Sequence, residues 1–134
     1  MNSFSLKIVT PDGLQYDGLA EELVVRTTTG DVGILAGHIS CVAPLGMGQA
    51  MIQTEGKRRY AACIGGMLSV VGGEVTLVPT TFEWADKIDI DRAEASEQRA
   101  KGVLSNKSAN ETDIRMAEAR LKRALIRKNV AAHK

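Results

Sequence analysis

Aromatic side chains are scarce in this sequence: one Trp, two Tyr and two Phe, 4% of 134 residues. A platform that stacks single-stranded nucleic acid needs several exposed rings, so no nucleic-acid partner is expected. Cysteine is equally sparse. Cys41 and Cys63 form no CxxC motif and read as two reduced, mostly buried thiols. Only His38 and His133 could join them, and a zinc site needs four ligands, or three and a water, so no metal is expected. Long apolar runs are missing too. The longest are about four or five residues, against ~20 for a membrane-spanning helix. The opening Met1-Asn2-Ser3-Phe4 has neither a basic segment nor an apolar one, so no secretory signal is expected and the chain reads as intracellular.

The balance that is present, 44% hydrophobic and 25% charged, is that of an ordinary folded chain of one domain or two very small ones. Net charge is only +1, but it is unevenly spread. Residues 1–87 carry six Lys/Arg and nine Asp/Glu, whereas 88–134 carry eleven and seven. All three prolines, Pro11, Pro44 and Pro79, and all glycines except Gly102 lie in the first part. The change falls between Glu83 and Lys87, and sets an expected division into residues 1–84 and 88–134.

Before that change, short alternating runs meet turn residues. Ser5–Val9 ends at Pro11-Asp12-Gly13, and Glu22–Arg26 follows. Gln49–Gln53 and Arg59–Ile64 flank Glu55-Gly56. Met67–Val71 and Glu74–Val78 flank Gly72-Gly73, which suits a two-residue primed turn. Many short strands without helical patterning predict an antiparallel sandwich or barrel. The segment Thr29–His38 holds three glycines in eight residues. It lacks the Lys-Ser/Thr and the following helix of a phosphate-binding loop, and reads as a compact surface turn.

After the change the pattern is helical. Asp91-Arg92-Ala93-Glu94 reads as a capping box with Asp91 as N-cap, and that helix should end near Leu104–Asn106. Ser108-Ala109-Asn110-Glu111 offers a second box, followed by the stripe Ile114, Ala117, Leu121, Ala124, Leu125. A short loop between capped helices predicts a helical hairpin, its alanine-rich contact face burying little area and therefore easily released. The second helix is strongly basic: Arg115, Arg120, Lys122, Arg123, Arg127, Lys128 and Lys134 face only Glu118 after position 114. Such a stretch suits an acidic protein surface or a phosphate-bearing ligand, and Arg123 and Arg127, at i and i+4, can converge on one polyanion. His38 has no nucleophile or carboxylate placed by a hydrolase motif, and no paired carboxylates can be assigned, so a catalytic set is not expected.

Five segments, in order, carry a family resemblance: Ile8-Val9-Thr10-Pro11-Asp12-Gly13, Gly30 to His38, Gly65-Gly66-Met67-Leu68-Ser69-Val70, Ile88 to Ala93, and Ala117 to Ala124. Over essentially its whole length the chain resembles the epsilon subunits of bacterial F-type ATP synthases. The resemblance implies a β-sandwich followed by a two-helix hairpin, in a non-catalytic rotor subunit peripheral to the cytoplasmic side of the bacterial plasma membrane. Its implied partners are the gamma subunit, the c-subunit ring and, through an extended hairpin, the alpha and beta subunits. Asp31, Gly33, Gly37 and His38 fall in the family's partner-contact region. Ala36 stands there where proline is common, which should loosen that turn. Arg115, Arg120, Lys122, Arg123 and Arg127 would form the basic helix that inhibits ATP hydrolysis. No cofactor is obligatory, but ATP is implied as a regulatory ligand. Ile88, Asp89, Arg92 and Ala93 match the family's I/L-D-x-x-R-A motif, Glu83 an acidic position before it, and Arg123 and Arg127 its phosphate-binding arginines. The alternative is a stand-alone ATP-binding sensor module.

Overall fold

The computed structural model describes residues 2–133. Eight strands come first: β1 (Phe4–Thr10), β2 (Gly13–Ala20), β3 (Glu22–Thr27), β4 (Gly30–Leu35), β5 (Cys41–Pro44), β6 (Met47–Thr54), β7 (Lys57–Val71) and β8 (Glu74–Trp84). A 3-10 turn at Ala85–Lys87 leads into two helices, α1 (Ile90–Leu104) and α2 (Glu111–Ala131). The β-sandwich and the helical hairpin are both as the sequence patterns indicate.

Alternation builds the core. Phe4, Leu6, Ile8 and Thr10 point inward from β1, and Leu23, Val25 and Thr27 from β3. They meet Ile34, Ile52, Leu68, Val70 and Leu77, with Phe82 edge-on to Trp84 at 4.9 Å between ring centroids. Two buried threonines close hairpins in the same way. The Thr10 hydroxyl donates to the Gly13 carbonyl at 3.3 Å, and that of Thr27 to the Gly30 carbonyl at 2.7 Å. Each also accepts a backbone N–H inside its turn, from Asp12 and Thr29 respectively. Both hydroxyls are thus satisfied within the core.

The strands run in the order β2-β1-β8-β7-β6-β3-β4, with β5 pairing the far half of β7. One sheet therefore becomes two layers by folding over. β6 pairs residues 57–64 of β7 and β5 pairs residues 67–70, in a single continuous register interrupted at Leu45-Gly46. Opposite that interruption β7 bends at Gly65 and Gly66, and Pro79 of β8 pairs Gly66. Gly66 has φ +102°, and a Cβ there would lie 2.0 Å from the Val78 carbonyl oxygen, so the fold line admits only glycine at this point.

Four sequence expectations for this part are corrected. The runs 59–64 and 67–71 form one strand, because Gly65-Gly66 bends β7 without ending its pairing to β8. The sandwich is not wholly antiparallel: Ser5–Ile8 of β1 pair in parallel with Glu74–Leu77 of β8. Thr29–His38 is not simply a turn, since Gly30–Leu35 is an edge strand paired to β3 residue for residue. Gly13–Ala20 and Cys41–Pro44 are additional strands. The Glu55-Gly56 and Gly72-Gly73 turns are as expected, with positive φ at both residues of each.

The hairpin needs two corrections at its caps and one on its face. Asp89, not Asp91, caps α1, its Oδ1 accepting the Arg92 backbone N–H at 3.0 Å. Asn110, not Ser108, caps α2, accepting from Asp113 at 2.8 Å. Of the expected apolar stripe only Ala117 and Ala124 are buried. Ile114 and Leu121 are half-buried and Leu125 is exposed. Ala93 and Ala100 complete the seam from α1. Apart from Glu97 on α1 and Val130 at the end of α2, the buried residues of the helices are alanines, which permits close packing but little apolar burial.

Candidate functional site

The candidate region lies where the end of β8, the start of α1 and the last turns of α2 meet. Ile88, buried at 4% exposure, packs with Ala62, Ala85, Val130 and Ala131, flanked by Tyr60 and Ile126. Because Ile88 is held in this cluster with an extended backbone, the helix cannot start before Ile90, and Asp89 falls at the cap. His133 stacks on Tyr60 at 4.1 Å between centroids, and Arg59 lies over Trp84 at 3.7 Å. The docking patch between hairpin and sandwich is thus small, made of alanines and a few larger side chains.

One ion pair crosses this patch. Arg127 Nε of α2 donates to Glu83 Oε1 of β8, both side chains about one-third exposed or less. At that exposure such a pair contributes about 1 kcal/mol. Two of the candidate nucleotide-binding residues are therefore brought together, but they satisfy each other. Arg123 is half-buried one helical turn before Arg127, and among the described residues no carboxylate pairs with it. Arg92 is exposed, with its backbone rather than its guanidinium bonded to Asp89. Ala93 is buried in the helix seam.

The basic face is partly neutralised within the chain. Arg115 pairs with Glu111 at 3.0 Å and Lys128 with Glu97 at 2.7 Å. Arg120 is half-buried and Lys122 exposed, while Lys134 lies outside the described residues. The sequence motifs do not point to Glu97. Its side chain is 7% exposed, and its two oxygens are shared between Lys101 at 2.8 Å and Lys128 at 2.7 Å. A weak signal for it exists: Glu97 falls on the same face as Ala93 and Ala100, where a core residue is due.

Lys101 first, and then Lys128, hold the Glu97 carboxyl below its ordinary range, against burial acting the other way. The same contact pushes the Lys128 ammonium up, with Glu94 adding a smaller attraction. A lowered carboxyl adds stability above its unfolded value, ~4.3, and loses it as pH falls through the folded value. A raised ammonium adds stability below ~10.4 and loses it as pH rises through its folded value. The closed hairpin is expected to be most stable between these limits. Calorimetric unfolding at descending pH should show an acid-side loss in the natural chain that is smaller in Glu97→Gln.

The partner-contact candidates belong elsewhere. Asp31, on edge strand β4, pairs with Arg26 at 3.0 Å, and Gly33 sits opposite Val24. Gly37 is exposed with φ +83°, and His38 Nδ1 bonds the Ile39 carbonyl at 2.8 Å. Leu35 and Ile39 stand 57% and 78% exposed beside them. β4 is four strands from β8 in the sheet order. The two candidate groups lie on different elements, one on β4 and the loop after it, the other on β8, α1 and α2.

The family model for the β-sandwich domain of the ATP synthase delta/epsilon chain matches residues 3–85, and that for its long α-helix domain matches residues 86–132. The ATP synthase epsilon chain of Bacillus pumilus is 43% identical over 131 residues, covering 98% of both chains. That of Bacillus velezensis is 44% identical over 133 residues, covering 99% of this chain and 100% of the relative. The chain belongs to the ATP synthase epsilon chain family. Among solved structures, the Euglena gracilis mitochondrial ATP synthase, OSCP/F1/c-ring in rotational state 1, holds a chain with the same fold. It matches at TM-score 0.83 and 22% identity, covering 98% of this chain and 82% of that one.

Proposed function

We propose that this chain is a non-catalytic central-stalk subunit of a proton-translocating F-type ATP synthase. It couples the gamma subunit to the c ring and restrains ATP hydrolysis through its hairpin. The observation that carries the reading is how lightly the hairpin is docked: an alanine-rich patch around Ala62, Ala85 and Ile88, and the single, partly exposed Glu83–Arg127 pair. Such a contact can be exchanged for another surface of similar size. Released, α2 carries Arg115, Arg120, Lys122, Arg123 and Arg127 to acidic surfaces of the alpha and beta subunits. The edge around Asp31, Gly33, Gly37 and His38, with Leu35 and Ile39 exposed, offers the contact to gamma and the c ring. Among the described residues no helix is long and apolar enough to cross a membrane. Attachment to the cytoplasmic face of a bacterial plasma membrane is proposed to come through the complex.

ATP is the ligand proposed to bias the hairpin. Arg123 and Arg127, on successive turns of one helix, suit a polyphosphate, with Arg92 and Asp89 at the neighbouring helix start. A phosphate on Arg127 would take the place now held by the Glu83 carboxylate, freeing Glu83 to accept a hydrogen bond from the ligand. A ligand at about 100 times its Kd stabilises the state it prefers by ~2.7 kcal/mol, enough to hold a balanced hairpin closed.

Removing the chain after Lys87 should leave assembly with gamma intact and raise ATP hydrolysis by the reconstituted complex. Loss of assembly would count against the placing of the partner contact in the sandwich, and an unchanged rate against inhibition by the hairpin. In parallel, calorimetric titration of ATP should show saturable binding that is weakened in Arg123→Ala. Equal binding in both would reject the proposed nucleotide site.

A further inference from the structure

Glu97 is the one charged side chain among the buried residues described, and it lies midway along a line of alanines. Its two lysine partners are not equivalent. Lys101 sits one turn further along α1 and travels with Glu97 wherever that helix goes. Lys128 belongs to α2 and meets Glu97 only when the helices lie together in this register. The residue before it, Arg127, ties α2 to β8 through Glu83. Successive residues project about 100° apart around a helix, so one short segment of α2 is pinned to α1 and to the sandwich at once.

We propose that Glu97 and Lys128 form a positioning clamp that sets the register of the closed hairpin while leaving its opening reversible. An alanine seam alone has few features to distinguish the correct register from a slip by one turn. A single polar pair at a seam position supplies that distinction. States that bury Glu97 away from Lys128 leave its Oε1 without a partner, with Lys101 alone on the other oxygen, and are disfavoured. A fully open hairpin pays no such penalty, because Glu97 is then hydrated and keeps Lys101. An apolar pair in the same place would favour closure more strongly and remove this balance. The inference rests on the proposed opening of the hairpin, but the clamp itself can be tested on the isolated chain.

Amide hydrogen exchange of the full chain, read by mass spectrometry, compares α2 peptides with β7 peptides. Lys128→Ala should speed exchange in α2 about tenfold, the effect expected from losing one charge-assisted hydrogen bond, and leave β7 unchanged. Lys128→Arg should retain most of the protection. The pair Glu97→Leu with Lys128→Leu should exchange more slowly than the natural chain. Unchanged α2 exchange in Lys128→Ala, or a leucine pair as unprotected as that variant, would overturn the clamp. If Lys128→Ala loosens α2 but hydrolysis by the assembled complex does not change, the clamp stands and the inhibitory reading of the hairpin fails.

Discussion

Replacing Gly66 by alanine is expected to unfold the sandwich, with a loss on the order of 4 kcal/mol and a fall in Tm of more than about 10 °C. Two costs combine at this position. The backbone stands at φ +102°, where residues with a side chain are strained. A Cβ would also meet backbone rather than a movable side chain: 2.0 Å from the Val78 oxygen and 2.6 Å from Pro79 Cα. Neither atom can retreat without opening the β7–β8 ladder, where Gly66 pairs Pro79. Gly56 is the control. Its φ is also positive, +76°, but nothing lies within 4 Å, so Gly56→Ala should cost only about 1 kcal/mol. Thermal unfolding of both variants checks the contrast. Similar losses in the two would show that strain alone, and not the close approach at the fold line, governs Gly66.

Ala124→Glu should open the hairpin and leave the sandwich folded. Ala124 is fully buried in the seam, and glutamate forms helix nearly as well as alanine, so the change tests burial alone. Closing the seam on a side chain larger than the alanine now enclosed there would bury its carboxylate, at about 3 kcal/mol or more, well above what the Glu83–Arg127 pair contributes. Trypsin reports the result directly, since α2 carries many Lys and Arg sites. Rapid cleavage within α2, with residues 2–87 surviving as a resistant fragment, is the expected outcome. Equal resistance of the natural and variant chains would mean that the seam tolerates the charge and is looser than its packing implies. On the inhibitory role proposed for the hairpin, the open variant in an assembled complex should inhibit hydrolysis more strongly than the natural chain and respond less to ATP.

The outline of this fold is readable because it rests on local chemistry. Alternation in β1 and β3, the Gly72-Gly73 turn, and the shift to capped, alanine-rich segments after Lys87 each act over a few residues. β4 is harder to read because Gly30 and Gly33 carry turn preference, and its pairing to β3 overrides it. The caps show the same limit. Asp89 and Asp91 are both good N-cap residues, and the choice is made by Ile88, whose burial against Val130 and Ala131 keeps the chain extended up to Asp89. Partner direction is further out of reach. Alternation in β1 gives its inward face but not that it lies parallel to β8, about seventy residues away.

The candidate site divides along the same line. Sequence alone determined which residues could take part: the motif from Ile88 to Ala93, the acidic Glu83, and arginines at i and i+4 on α2. Tertiary structure decided what they do to one another. It set Glu83 on Arg127, left Arg123 without a carboxylate partner among the described residues, and buried Glu97 between two lysines, one of them 31 positions away. The physical reason is that residue type and helical spacing are local properties, whereas an ion pair depends on which surfaces meet. In this chain the surfaces that meet are mostly alanine, and a few charges placed among them decide how the helices are held.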